Sequence, residues 1–202
     1  MILSLKIFKF VKKMIPIITQ CYQNEHLSVS DYELISQKHH LVTFEKGSFI
    51  LEHSQSLNAY YILLDGCVHS FANNSNGNST TIYLFTPHEV VIDVNALFQR
   101  KQTVENWQCL TKCTLLQISF EDFQELYHSL YGFREWGRTW MANELFQLKE
   151  RSIAMRTHSA KERYEELLKN KPYIFSLVPL KLIASYLGIT DTSLSRIRKE
   201  LK

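Results

Sequence analysis

The 202-residue chain has few cysteines, no long apolar run and no strong charge of either sign. Each absence removes a class of protein. The four cysteines, Cys21, Cys67, Cys109 and Cys113, include no CxxC pair, so neither a zinc site nor an iron–sulfur site has a ligand frame. Reduced and mostly buried thiols in a cytoplasmic protein are the expectation. The opening stretch MILSLKIFKFVKKMIPII is apolar, but Lys6, Lys9, Lys12 and Lys13 interrupt it, which argues against a membrane span and a membrane partner. No small-residue cleavage site follows it, as a signal peptide would need. An amphipathic first helix is expected there, with the natural start at Met1 or Met14. No internal repeat or low-complexity tract is visible.

Histidines are present, eight of them, but not in a catalytic arrangement. A cupin-like metal enzyme needs two histidines on one strand face, one residue apart, with a nearby glutamate. His39 and His40 are adjacent and point to opposite faces of a strand. His53, His69 and His88 are scattered, and no nucleophile stands beside a base. No metal, no cofactor and no enzyme activity are assigned.

What is present is ordinary for a soluble globular protein: 45% hydrophobic and 21% charged residues. The length allows one large domain or two small ones. The net charge is only +3, but it is unevenly placed. Residues 156–202 hold ten Lys/Arg against five Asp/Glu, and residues 1–155 hold thirteen against fifteen. A basic C-terminal segment on a slightly acidic body suits a polyanion-binding head.

Residues 14–38 read as short helices, with Ser28 as a cap before Tyr32, Leu34 and Ile35. From about Leu41 to Ile118 the texture changes to short β-rich runs between turns. HLVTF, SFILE, AYYILL, CVHSF, TTIYLF, EVVIDV and WQCLTKCTLLQIS read as strands, and NNSNGNS as a polar hairpin tip. Many short strands with regular turns predict an antiparallel sandwich or roll. SFED opens the next helical region as a capping box, with Asp122 reaching back to Ser119. One long helix is predicted from Phe133 to about Arg156. On it Met141, Leu145, Leu148, Ser152 and Met155 step by four, three, four and three, which is the spacing of a coiled-coil seam. Phe133, Trp136 and Trp140 form a second apolar patch. Two apolar surfaces allow one to face the chain's own body and the other a second copy. SAKERYEELLKN is a further helix, ended before Pro172.

The last segment, VPLKLIASYLGITDTSLSRIRKELK, reads as a helix-turn-helix from Leu180 to Lys199. Ala184 is small where two helices cross. Gly188 stands at the turn, where positive φ costs glycine nothing. Ile183, Leu187, Ile189, Leu194 and Ile197 weld the pair, and Thr190 or Asp191 caps the second helix. Thr192, Ser193, Ser195, Arg196 and Lys199 are left on its polar face. A plain helical hairpin would share the 3.6-residue period, but it needs none of these positions in this order.

The order of roll, long helix and terminal helix-turn-helix resembles the cyclic-AMP receptor protein/FNR (Crp/Fnr) family of transcription regulators. FEKGSFIL, AYYILLDGCVHSF and LLQISFEDFQEL carry the resemblance in the roll. AKERYEELL, VPLKLIASYLGIT and SLSRIRK carry it in the C-terminal part, and these are especially like the versions common in Bacteroidetes. The resemblance implies an α+β fold in three parts. Residues 1–130 would be an antiparallel β-roll of the cyclic-nucleotide-binding type, 131–157 a dimerisation helix, and 158–202 a helix-turn-helix domain. It implies a homodimer paired along the long helix, with two recognition helices roughly 34 Å apart on DNA. Arg196 matches the position whose arginine reads a guanine edge, a contact worth ~1–3 kcal/mol of discrimination. Thr190, Asp191 and Thr192 match further contact positions. RNA polymerase is a further partner that the resemblance allows.

The departures from the family pattern bear on the effector. Nucleotide-binding members hold the ribose and cyclic phosphate with a Gly-Glu pair and an Arg-Ser pair. Here the Gly-Glu position reads Ile92-Asp93 and the Arg-Ser position falls near Thr103-Val104, with Arg100 and Lys101 close by but displaced. A buried phosphate needs its arginine, so these departures argue against a cyclic nucleotide. An unidentified small effector in an apolar or mixed pocket between roll and long helix, near Val91, Asp93, Thr103 and Trp107, is expected instead. The alternatives are an interaction protein that keeps the fold without binding DNA, and the cupin-like enzyme set aside above.

Overall fold

The computed structural model describes residues 14–74 and 77–201. The Lys-interrupted part of the N-terminal stretch therefore lies outside the described residues, as does part of the polar hairpin tip. The first described helix, α1, runs over 14–21. Helix α2 (Val29–Gln37) starts at Ser28, whose side chain accepts from the Asp31 amide while Asp31 reaches back to the cap. Such a reciprocal cap satisfies two otherwise free amides at the helix start.

Eight strands follow, β1 (His39–Phe44), β2 (Phe49–Leu51), β3 (Ala59–Asp65), β4 (Val68–Asn73), β5 (Ser79–Phe85), β6 (Val90–Val91), β7 (Asn106–Cys109) and β8 (Cys113–Ser119). They form two four-stranded antiparallel sheets, ordered β1-β8-β3-β6 and β2-β7-β4-β5. Leu63 and Leu115 of the first sheet share one apolar core with Leu51, Val68, Phe85 and Trp107 of the second. Strand β3 is buried at five successive positions. A strand covered on both faces loses the alternation that a half-exposed strand shows, and Tyr22, Phe123 and Phe133 from the helices join the same core. The predicted strand EVVIDV is mostly not a strand. Only Val90 and Val91 pair, and helix α3 (Val94–Phe98) follows, started by Asp93 accepting from the Ala96 amide.

Helix α4 (Phe120–Ser129) begins at Ser119, which accepts from the Asp122 amide. Asp122 does reach back, but its carboxylate takes the Ser119 hydroxyl at 2.8 Å. Helix α5 (Tyr131–Thr157) is the long one, and α6 (Ala160–Asn170) follows with a complete Ser159–Glu162 capping box. A short helix, α7 (Ile174–Leu177), occupies a stretch with no helical signature of its own. The chain then forms α8 (Leu180–Tyr186) and α9 (Asp191–Glu200).

A buried polar chain links three of these parts. Tyr22 and His39 are 2.6 Å apart through the hydroxyl and Nε2, and the Tyr22 and Tyr60 hydroxyls are 2.9 Å apart. His39 Nδ1 lies 2.7 Å from the Ile35 carbonyl, which can only accept. Nδ1 therefore carries the proton, Nε2 accepts from Tyr22, and Tyr22 accepts from Tyr60. Burial pushes the His39 imidazole down to about 4, so the neutral ring is the one the fold is built around.

Candidate functional site

The C-terminal helix pair is built as its sequence predicts. Ile183, Ala184, Leu187, Leu194 and Ile197 are buried together. Gly188 takes φ +68°, and a Cβ there would lie 2.8 Å from Met155 Cε. The glycine is thus required for its backbone, while the nearby Met155 tip is flexible enough to move aside. Thr190 is the N-cap, accepting from the Ser193 amide at 3.2 Å. Its hydroxyl also meets those of Thr192 and Ser193, each at 2.9 Å.

Of the residues expected to meet DNA, Thr190, Asp191, Thr192, Ser195, Arg196 and Lys199 are exposed, and Ser193 is half-buried. They form one solvent face of α9, opposite Leu194 and Ile197. Among the described residues no carboxylate lies within 4.0 Å of the Arg196 or Lys199 head groups. Those charges are free to meet an outside partner.

Helix α5 behaves differently along its length. Phe133 is buried, while Trp136 and Trp140 are half-buried against the roll. Beyond them Met141, Leu145, Leu148, Ser152 and Met155 are all exposed. Leu145 is 64% exposed and Leu148 57%, so apolar side chains stand in water over three turns. Phe146 and Ile153, 61% and 49% exposed, extend the apolar surface. Each residue turns the helix by about 100°, so both stand on a different face of the helix from the seam. Met155, 49% exposed, also reaches the Gly188 corner with its Cε.

The expected effector residues lie elsewhere than the hollow they were assigned to. Val91 and Trp107 are completely buried in the roll core. Asp93 accepts from the Ala96 amide at 3.0 Å and the Thr103 hydroxyl at 2.7 Å. Thr103 in turn accepts from the Glu105 amide at 3.0 Å. Glu105 takes the Ser70 hydroxyl at 2.5 Å and the Trp107 indole N–H at 2.9 Å. These polar groups satisfy one another. A small apolar hollow does separate roll and long helix, but it is lined by Val90 and Ile92 together with Phe98, Phe123, Trp136 and Trp140. Alternation along an extended segment accounts for the one-residue difference: neighbours point to opposite sides.

A larger feature carries no local signature in the sequence. An open groove of about 690 Å³ runs between β5, α5, α6 and α8. Two polar ties join the roll to the C-terminal helices beside it. Lys171, at the end of α6, is 2.7 Å from Glu89 and donates to the Leu84 carbonyl at 2.9 Å. The Thr81 amide on strand β5 donates to the Ser185 hydroxyl of α8 at 2.9 Å. Strand β5 is the edge of its sheet, so α8 covers an edge that would otherwise present free amides. Cys67 and Leu84 of the roll are buried in the same cluster as the α8–α9 core.

The chain's likeness to known proteins agrees with this architecture. Residues 41–129 match the cyclic nucleotide-binding domain. No curated protein matches the chain. Among solved structures it is similar to FixK2 from Bradyrhizobium japonicum, at 15% identity and a TM-score of 0.69, over 81% of this chain and 84% of that one. It is similar to the c-di-GMP responsive global regulator CLP of Xanthomonas campestris, at 16% identity and a TM-score of 0.64, over 86% and 91% of the two chains. The catabolite activator protein of Thermus thermophilus is a further match, at 17% identity and a TM-score of 0.56, over 88% and 84%. The chain therefore carries a cyclic nucleotide-binding-type roll, within a fold shared with Crp/Fnr transcription regulators.

Proposed function

We propose that the chain is a dimeric, DNA-binding transcription regulator of the Crp/Fnr type, working in the cytoplasm. In this reading residues 1–130 sense, 131–157 dimerise, and 158–202 bind DNA as a helix-turn-helix, with RNA polymerase as a further partner. The observation that carries it is the solvent face of α9, where Thr190, Asp191, Thr192, Ser195, Arg196 and Lys199 stand exposed beside a well-packed reverse side. A helix with its N-terminal hydroxyls and an arginine outward fits the major groove, where the first turn contacts phosphates and the arginine reads an edge. The exposed apolar surface of α5 supports pairing with a second copy, since such a surface is stabilised once buried.

The roll is read as a sensor for something other than a cyclic nucleotide. Asp93 and Glu105 are both engaged within the chain, and the nearby Arg100 is held to Asn58 and over the Phe120 ring. A buried phosphate needs an arginine to pair with it. Cyclic AMP and cyclic GMP are expected to give no saturable thermal stabilisation, and a saturable shift with either would overturn this part.

The test of DNA binding is selection of duplexes from a random pool, followed by titration at several salt concentrations. Arg196→Ala should relax preference at one base pair. Lys199→Ala should weaken binding to all sequences alike and reduce the salt slope by about one. Unchanged affinity for the selected site in both variants would refute the assignment of α9.

A further inference from the structure

We propose that the groove between β5, α5, α6 and α8 binds a small organic anion with an apolar body, and that effector binding occurs here rather than inside the roll. The inference rests on reading the chain as an effector-controlled regulator, and the groove it concerns borders the α5 seam, with Leu148, Ser152 and Met155 lining both, so a second copy would flank the bound anion. Size is the first argument. About 690 Å³ lies within the range of ligand pockets, roughly 300–1,000 Å³, and pockets favour the junctions between domains.

The lining sets the ligand class. Ile82, Leu148, Ala154, Met155, Leu167 and Leu187 supply apolar surface, with Tyr83 and Tyr186 among them. Three cations reach the groove, and they are not equivalent. Lys171 is paired with Glu89. Arg151 and Arg163 have no carboxylate within 4.0 Å among the described residues. Arg151 lies over the Tyr83 ring, 4.7 Å from its centre, and meets the Tyr186 hydroxyl only at 3.5 Å. Arg163 donates to two neutral acceptors, the His158 carbonyl at 2.7 Å and the Leu187 carbonyl at 3.0 Å, while its Nε is buried without a partner. A buried donor left unmade is costly. A carboxylate or phosphate oxygen is the acceptor that guanidinium forks match best. Three carboxylates also line the groove: Glu89 is paired with Lys171, and Glu150 and Glu166 are exposed.

Placement gives such a ligand a consequence. The groove touches the roll, the long helix and the C-terminal helices at once, so an occupant bridging them favours one orientation of α9 over others.

The probe is 8-anilinonaphthalene-1-sulfonate, an aromatic anion whose emission rises in apolar surroundings, titrated into the folded full-length chain without DNA. One saturable site per protomer is expected. Naphthalene-1-carboxylate and 1-naphthyl phosphate should displace the probe, their order of potency telling carboxylate from phosphate chemistry, while neutral 1-naphthalenemethanol should not. Arg151→Met should weaken binding roughly ten-fold or more, as loss of one charge-assisted contact predicts. Ala154→Trp should fill the groove and abolish binding. Lys46→Ala, exposed in the turn before β2 and outside the groove, should leave it unchanged, and thermal melts verify that each variant is folded. Full binding in both Arg151→Met and Ala154→Trp, equal displacement by the neutral alcohol, or no saturable binding at all would overturn the proposal. Because no DNA is present, such a failure is separate from any failure of the α9 assignment.

Discussion

Lys171 and Glu89 join the C-terminal helices to the roll: the ammonium lies 2.7 Å from one carboxylate oxygen and 2.9 Å from the other. Both side chains are mostly out of water, 16% and 27% exposed, and the ammonium also sits 4.2 Å from the centre of the Tyr83 ring. Glu89 is held in turn by the Thr86 amide at 2.6 Å and the Tyr83 hydroxyl at 3.2 Å. A part-buried pair of this kind resists salt better than a surface pair. Lys171→Met is expected to cost about 1–3 kcal/mol, because it strands a hydrogen-bonded carboxylate. Denaturant unfolding measures that cost, and limited proteolysis near His158 should speed up as the C-terminal helices loosen. In a double-mutant cycle Glu89→Gln should add little once Lys171 is gone.

The exposed seam of α5 predicts an oligomer. Leu145→Glu places a charge at its most exposed apolar position, 64% open to water. Sedimentation should find a dimer for the unaltered chain and a monomer for the variant at the same concentration. A dimer in both would exclude this surface as the contact.

Buried histidine makes stability depend on pH. His39 and His69 are both pushed by burial down to about 4, from an ordinary value of 6.5. The unfolded chain therefore takes up protons first as pH falls, and it is favoured by doing so. Stability should be full above about pH 6.5, fall between 6.5 and 4, and level off below 4 as far as these groups are concerned. The His39 share is about 3 kcal/mol at most. Urea midpoints at pH 7.5 and pH 5 test this, and His39→Gln should flatten the slope.

Gly188 sits at the corner of the helix pair with φ +68°. Gly188→Ala should cost about 1–2 kcal/mol for left-handed backbone, and only a little more for displacing the flexible Met155 tip, whose Cε would lie 2.8 Å from the new methyl. Adding Met155→Ala should recover only the contact share. Thermal melts of the three variants separate the two contributions.

The periodic and punctuated parts of this protein were legible one residue at a time. Ser28, Ser119 and Thr190 announce helix starts, because a cap is satisfied by residues within three positions of it. The strands of the roll show in short β-rich runs, and the solvent face of α9 follows from its apolar reverse. Two short helices, α3 and α7, did not show. At five and four residues they are too short to carry a helical period, and tertiary contacts hold them instead. Val91 and Asp93 stand one residue from the Val90 and Ile92 that line the hollow beside β6, since register within an extended segment depends on which side is covered.

Local chemistry thus determined the element types, their caps, and the polar face offered to a partner. Tertiary structure alone decided which elements meet. Lys171 finds Glu89 across eighty-two positions and Ser185 finds Thr81 across more than a hundred. Arg151 and Arg163 come to share one groove with a strand from the roll. No window of sequence records such meetings, because they are selected by the summed burial of two cores rather than by any segment's own preference.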